Sequence, residues 1–362
     1  MGPTPPPSPR AFGPRYFPPE GEGFNGEMLT SLFDYDLPES SIAQAPIEPR
    51  DSSRLLDSRD LTDHTFADLP TLLAPGDLVV VNRTRVRKAR LIGSKADGGG
   101  RAELLLLDGV GSRWRAMVKP ARRLRSGSVL LFDGIKATIV DGPAKGLVTV
   151  DLSADGDLEE RIEEAGEIPL PPYFKSQLAD PERYQTMFAK SLGSAAAPTA
   201  ALHFTPAVVD ALATRHIELT QVDLTVGIDT FRPIDAPDLD DHEIHSESFE
   251  VSDVAAEAIA RCRKRGGRVV AVGTTSVRAL ESAATGRGLV DTRTGSTDLF
   301  ITPGYGFKVV DLLVTNFHVP KSSLVVMIAA FMGDEWRSTY RHALDAGYRF
   351  LSFGDAMLAQ RS

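Results

Sequence analysis

Over residues 75–152 the chain breaks into short apolar-rich runs separated by glycine turns: 78–81, 89–92, 102–107, 114–118, 128–132, 137–140 and 147–152. Strands this short at such regular spacing predict a small barrel or sandwich, and no helical period interrupts them. Downstream the pattern alternates. Residues 158–165 and 206–214 read as helices, 217–226 as a strand, and 254–265 as a helix stopped by Gly266 and Gly267. A strand at 268–272, a helix at 276–284, a strand at 312–315 and helices at 324–333 and 335–346 follow. Upstream, Asp36-Leu37-Pro38-Glu39 reads as a short helix start and 50–56 as a strand entered from a polar turn. Alternation of this kind predicts an α/β layer. The expected architecture is α/β with two domains: an α/β main domain of residues 27–74 and 154–362, and a small β-barrel domain of residues 75–153 inserted into it.

Composition adds limits to this picture. The first 26 residues are rich in Pro and Gly with few aliphatics, which predicts a disordered tail because too little apolar surface is available to offset ordering. No stretch reaches the roughly eighteen consecutive apolar residues of a membrane helix, and the N-terminus lacks a secretory pattern, so a cytoplasmic protein is expected. The single cysteine, Cys262, excludes an intrachain disulfide and a cysteine-rich metal site. The net charge of -9 argues against a uniformly basic nucleic-acid binder. Distribution changes that reading, because Arg83, Arg85, Arg87, Lys88 and Arg90 form one basic cluster and Lys119, Arg122, Arg123 and Arg125 a second.

Several segments carry candidate chemistry. Residues 268–278 run an apolar strand through Gly273 into Thr274, Thr275 and Ser276, a helix start whose N–H groups and hydroxyls suit a phosphate or a carboxylate; a plain helix cap explains the same residues. His203 stands among small residues after Ala197-Pro198-Thr199-Ala200-Ala201-Leu202, either as a reactive group or as a buried, satisfied imidazole. His242-Glu243-Ile244-His245-Ser246-Glu247 has the residue types of a metal site, but the spacing matches no strong signature, so no metal is expected and proton transfer or substrate contact is preferred. Asp298, Tyr305, Asn316, His318, Lys321 and Ser322 lie where strand ends meet a helix start, the usual place for ligands in such sheets.

These motifs, in this order, closely resemble the S-adenosylmethionine:tRNA ribosyltransferase-isomerases of queuosine biosynthesis. The resemblance runs from about Leu37 to Leu358 and includes Arg54-Leu55-Leu56, residues 168–173 and 182–186, Leu202-His203-Phe204-Thr205, His245-Ser246-Glu247, residues 273–278, Asn316-Phe317-His318, Pro320-Lys321-Ser322 and residues 354–358. It implies an α/β domain with an inserted β-barrel, no prosthetic group or metal, S-adenosylmethionine as ribosyl donor, and tRNA carrying 7-aminomethyl-7-deazaguanine as acceptor. Epoxyqueuosine-tRNA, adenine and methionine would be the products, and a monomer is expected. Hydrogens beside a sulfonium are acidic, so a base is required; His203, His245, Glu247 and His318 are the candidates for proton transfer. Thr199, Thr230, Thr274, Thr275, Arg278, Asp298, Tyr305, Asn316, Lys321 and Ser322 are the candidate substrate contacts, with Thr274, Thr275 and Arg278 suited to a carboxylate or a phosphate. Arg83, Arg85, Arg122, Arg123 and Arg125 are the candidate tRNA contacts. The chain departs from the family pattern at Arg83, where an aspartate is usual, and at Ala201 and Asp229, where glycine is usual. A relative acting on a free 7-deazapurine, or a non-catalytic RNA binder, are the competing expectations.

Overall fold

The structure, a computed structural model, describes residues 28–144, 146–176, 178–227, 233–244, 246–286 and 288–362. The expected tail therefore lies outside the described residues, as do Asp229, Thr230 and His245. Strands β1 (Arg54–Asp57), β2 (Thr62–Thr65) and β3 (Leu78–Asn82) come first. Six strands follow: β4 (Arg90–Lys95), β5 (Arg101–Val110), β6 (Arg113–Lys119), β7 (Val129–Phe132), β8 (Ile135–Ala144) and β9 (Leu147–Ala154). They close into a barrel in the order β9-β6-β5-β4-β7-β8. The later strands are β10 (Glu218–Leu224), β11 (Glu247–Val251), β12 (Val269–Val272), β13 (Arg293–Thr297), β14 (Leu312–Asn316) and β15 (Ala356–Gln360). With β1 to β3 they form a nine-stranded sheet, β13-β11-β10-β3-β12-β14-β15-β1-β2.

Period-two burial builds the barrel. Ala102, Leu104 and Leu106 of β5, Trp114, Ala116 and Val118 of β6, and Val148, Val150 and Leu152 of β9 are buried in one core, while their neighbours along each strand are more exposed. The apolar run 78–81, expected with the barrel strands, is instead the β3 strand at the centre of the large sheet. Its residues do not alternate in burial because both faces are covered: Leu78 and Val80 join the core beneath one layer of helices, Val79 and Val81 the core on the other side.

The helices are α1 (Leu158–Ala165), α2 (Pro206–Thr214), α3 (Asp253–Lys264), α4 (Thr274–Ser282), α5 (Ser323–Met332) and α6 (Glu335–Asp345). The last four pack on one face of the sheet, and α2 on the other through Val208 and Leu212. Gly333, at φ 61, ends α5 so that α6 can turn back. Among the described residues no helix is long and apolar enough to cross a membrane. Strands β10, β3, β12 and β14 are parallel neighbours, so their carboxyl ends lie along one edge.

Candidate active site

At that edge, residues following three of the parallel strands line two adjoining clefts: Val226 after β10, Gly273 to Thr275 after β12, and the end of β14 with His318. The narrower cleft is walled by Tyr173, Thr199, Thr315, Asn316, His318 and Ser322. The wider is lined by Asp235, Asp241, His242, Glu243, Glu247 and Arg278, among others. Thr274, Thr275 and Leu324 belong to both. Small side chains at Ala197 and Ala200 let the narrow cleft approach the strand ends closely.

His318 is held from three sides. Its backbone oxygen accepts a hydrogen bond from the Tyr35 hydroxyl, its N–H donates to the Tyr340 hydroxyl at 3.2 Å, and Nε2 lies 2.9 Å from Thr315 Oγ1. Burial pushes its imidazole down to about 3, so the ring is neutral at physiological pH. Nε2 is the ring nitrogen with a protein partner, which leaves Nδ1 for a ligand in the cleft.

His203 is arranged differently. Asn316 Nδ2 donates to its Nε2 at 3.1 Å, which puts the proton on Nδ1, and Nδ1 donates to Ser53 Oγ at 2.7 Å. Both ring nitrogens are therefore occupied, and the ring stacks on Phe66 at 5.0 Å between centroids. Burial first, then the nearby Arg349 guanidinium, pushes this imidazole down to about 3. The bond it donates to His203 fixes the Asn316 amide, whose Oδ1 accepts from Thr199 Oγ1 at 2.8 Å on the wall of the narrow cleft.

In the wide cleft, Glu247 sits in a buried ion pair with Arg278 and accepts the Gly227 N–H at 2.9 Å. Arg278 also donates to the carbonyls of Leu299 and Thr297 at 3.2 and 3.3 Å, so its guanidinium is committed to the protein. Lys321 lies outside both clefts, with Nζ 3.2 Å from Asp34. Tyr305 donates to Glu281 at 3.3 Å, and Asp298 is exposed; neither lines a cleft. Ser322 caps α5 and bonds Val319 O at 2.6 Å. Among the described residues no group of three metal-ligating side chains occurs. Thr315, Tyr35, Tyr340 and Ser53 were not singled out by sequence; only Thr315, next to Asn316, had a local signal, since Tyr35 meets His318 across 283 positions.

Of the cations expected to meet RNA, Arg83 pairs with Asp223 at 2.7 Å and Arg85 with Glu182 at 2.6 Å. Arg122, Arg123 and Arg125 are exposed on the turn between β6 and β7, and none forms an ion pair among the described residues.

Residues 30–359 match the model of the family described as queuosine biosynthesis protein. An S-adenosylmethionine:tRNA ribosyltransferase-isomerase of Symbiobacterium thermophilum is 50% identical over 339 residues, covering 91% of this chain and 99% of the relative. One from Anaeromyxobacter dehalogenans is 51% identical over 346 residues, covering 92% and 100%. The crystal structure of an S-adenosylmethionine tRNA ribosyltransferase from Thermotoga maritima superposes with a TM-score of 0.52 at 34% identity, covering 90% of this chain and 99% of that one. With its α/β sheet, closed barrel and cleft at the parallel strand ends, the chain belongs to the queuosine biosynthesis family of S-adenosylmethionine:tRNA ribosyltransferase-isomerases, which are transferases.

Proposed function

We propose that the protein transfers and isomerises the ribosyl unit of S-adenosylmethionine onto 7-aminomethyl-7-deazaguanine in tRNA, releasing adenine and methionine and leaving epoxyqueuosine. The observation that carries this reading is His318, an imidazole on the wall of a narrow cleft with its main chain fixed by two tyrosines and one ring nitrogen left for a ligand. A proton on the 5′ carbon beside the sulfonium is removed by such a group, and the positive sulfur stabilises the carbanion that forms. Opening of the ribose expels adenine, the aminomethyl nitrogen attacks, and the epoxide closes as methionine leaves.

His203 acts as a positioning residue in this scheme, because both its nitrogens are occupied and its bond to Asn316 orients Thr199. Glu247, held by Arg278, supplies a fixed carboxylate in the wide cleft. Arg122, Arg123 and Arg125 are the RNA contacts, while Arg83 and Arg85 hold the fold together through Asp223 and Glu182.

Adenine release from S-adenosylmethionine tests the reading directly. Release that requires tRNA bearing the aminomethyl base, and that falls at least a hundredfold (an order-of-magnitude expectation for loss of a general base) in His318→Gln, is the expected result. Equal release with the free base would assign the activity to a small-molecule acceptor, and no release with either would remove the enzymatic reading.

A further inference from the structure

The first turn of α4 carries the hydroxyls of Thr275 and Ser276, which have different fates. Ser276 Oγ folds back to the Val272 carbonyl at 2.8 Å, the ordinary bond of a helical hydroxyl to the residue four before it. Thr275 forgoes that bond. Its Oγ1 is buried without a hydrogen-bond partner among the described residues, and the residue is only 8% exposed. A buried hydroxyl with nothing to bond is a standing cost to the fold, so its position calls for a physical reason.

Its surroundings supply one. Thr275 Oγ1 lies 3.5 Å from where a Cβ would stand on Gly273, the residue at φ +83 that turns β12 into α4. The hydroxyl is thus at the start of the helix, over Gly273, and in contact range of any side chain placed there. The N–H groups of Ser276 and Val277 turn back to the Gly273 carbonyl at 3.1 and 3.3 Å, whereas those of Thr274 and Thr275 precede the first possible intrahelical bond. Thr274 and Thr275 both line the two clefts, and Ser323 at the start of α5 lines the wide one, so two helix N-termini meet the same space. Positive helix ends and free donors favour an anion.

Arg278, the one guanidinium in either lining among the described residues, is spent on Glu247 and two carbonyls. Asp235, Asp241, Glu243 and Glu247 line the adjoining wide cleft, a setting that repels a chain of phosphates. An anion that carries its own cation fits both halves. We propose that this junction binds the α-amino acid end of S-adenosylmethionine, with the carboxylate on Thr275 Oγ1 and the first N–H groups of α4 and the ammonium turned toward Glu247. The assignment rests on the reading that S-adenosylmethionine is the ribosyl donor.

Thr275→Val removes the hydroxyl and keeps the shape, and Thr275→Ser restores the hydroxyl. Binding of S-adenosylmethionine and of its decarboxylated analogue is read by equilibrium dialysis on the full chain, with thermal unfolding alongside. Thr275→Val should weaken S-adenosylmethionine roughly tenfold or more, the scale of a lost bond to a charged group, and the analogue less than about twofold. Thr275→Ser should return to within about threefold of the parent. The unfolding midpoint of Thr275→Val should stay level or rise, because an unsatisfied hydroxyl has gone. Equal losses for both ligands, or a weakened grip on tRNA in place of S-adenosylmethionine, would overturn the assignment and, in the second case, point to an RNA phosphate. A protein that binds S-adenosylmethionine with this carboxylate dependence yet releases no adenine with tRNA would sink the proposed reaction and leave the site standing.

Discussion

The approach to the barrel and the turn between its strands β6 and β7 each carry a run of cations, and the molecule uses them in opposite ways. Arg83 meets Asp223, Arg85 meets Glu182, Arg87 meets Glu159, Lys88 donates to the Glu163 carbonyl at 3.0 Å, and Arg90 meets Glu103 and Glu167. Asp223 belongs to β10 of the large sheet, Glu159 and Glu163 to α1 and Glu103 to β5 of the barrel, so the first run is spent within the fold, at the sheet, at α1 and inside the barrel. The second run, Arg122, Arg123 and Arg125, stays exposed with no ion pair among the described residues. A cation already matched by a carboxylate adds little to the field a polyanion feels; an unmatched one adds its full charge. In a protein of net charge -9, local pairing decides where positive field is left uncancelled.

The contrast is broken most directly by replacing Arg122, Arg123 and Arg125 together with Ala. Affinity for tRNA should fall on the order of a hundredfold at low salt, and the slope of log affinity against log salt should drop by about two, as phosphate contacts are lost. A titration across salt concentrations with an unchanged slope would show that the free run does not touch RNA. Next in size is Arg83→Asp. It sets a second carboxylate against Asp223, whose side chain is only 13% exposed, and should cost about 2 kcal/mol in urea unfolding after allowance for the exposed side of the pair, with the salt slope of tRNA binding unaltered. If that substitution weakens tRNA binding more than it weakens the fold, the paired run has a second role.

The smallest effect belongs to Arg90→Ala, about 1 kcal/mol at pH 7, because the pair is partly hydrated. Its pH dependence sharpens the comparison. The hydrogen bond from Arg90 is the largest influence holding the Glu103 carboxyl below its ordinary value of 4.5. A carboxylate depressed on folding stabilises above its unfolded value and loses that stabilisation as pH falls through the folded one. Thermal midpoints of Arg90→Ala and the parent should therefore differ at neutral pH and converge as pH falls through the depressed folded value of Glu103. A gap that stays constant through the whole acid titration of Glu103 would mean that Arg90 acts through packing.

Much of this architecture was legible along the chain because burial there has a simple period. The barrel strands alternate, so each was visible as a run between turns, and α1 and α2 fall at the residues their apolar spacing indicates. Strand β3 was visible as a strand but not as the centre of another sheet: a run buried on both faces says nothing about its neighbours. Strands β11 and β13 escaped notice because they are short, partly exposed and paired at one edge of the sheet. At the site, Asn316, His318, Thr274 and Thr275 stand out by residue type at strand ends, whereas the role of Arg278 depends on a carboxylate 31 positions away. The His203 ring, attractive as a base in sequence, is occupied by Ser53 across 150 positions. Pairings at such separation leave no local trace, which is why charge and residue type alone could not tell a committed group from an available one.

Arg90 and Glu167 exchange both backbone hydrogen bonds, at 3.1 and 2.8 Å, where the chain enters and leaves the barrel. Once that clasp and the barrel have formed, the segment from Arg90 to Glu167 behaves during folding as a short closed loop. Joining β3 to β10 then carries the closure entropy of residues 83–89 and 168–217 instead of that of the whole stretch between the two strands. Effective contact order falls for the central strands of the sheet, so a closed barrel lowers the entropic cost of pairing β3 with β10, and two backbone bonds at its neck set how much.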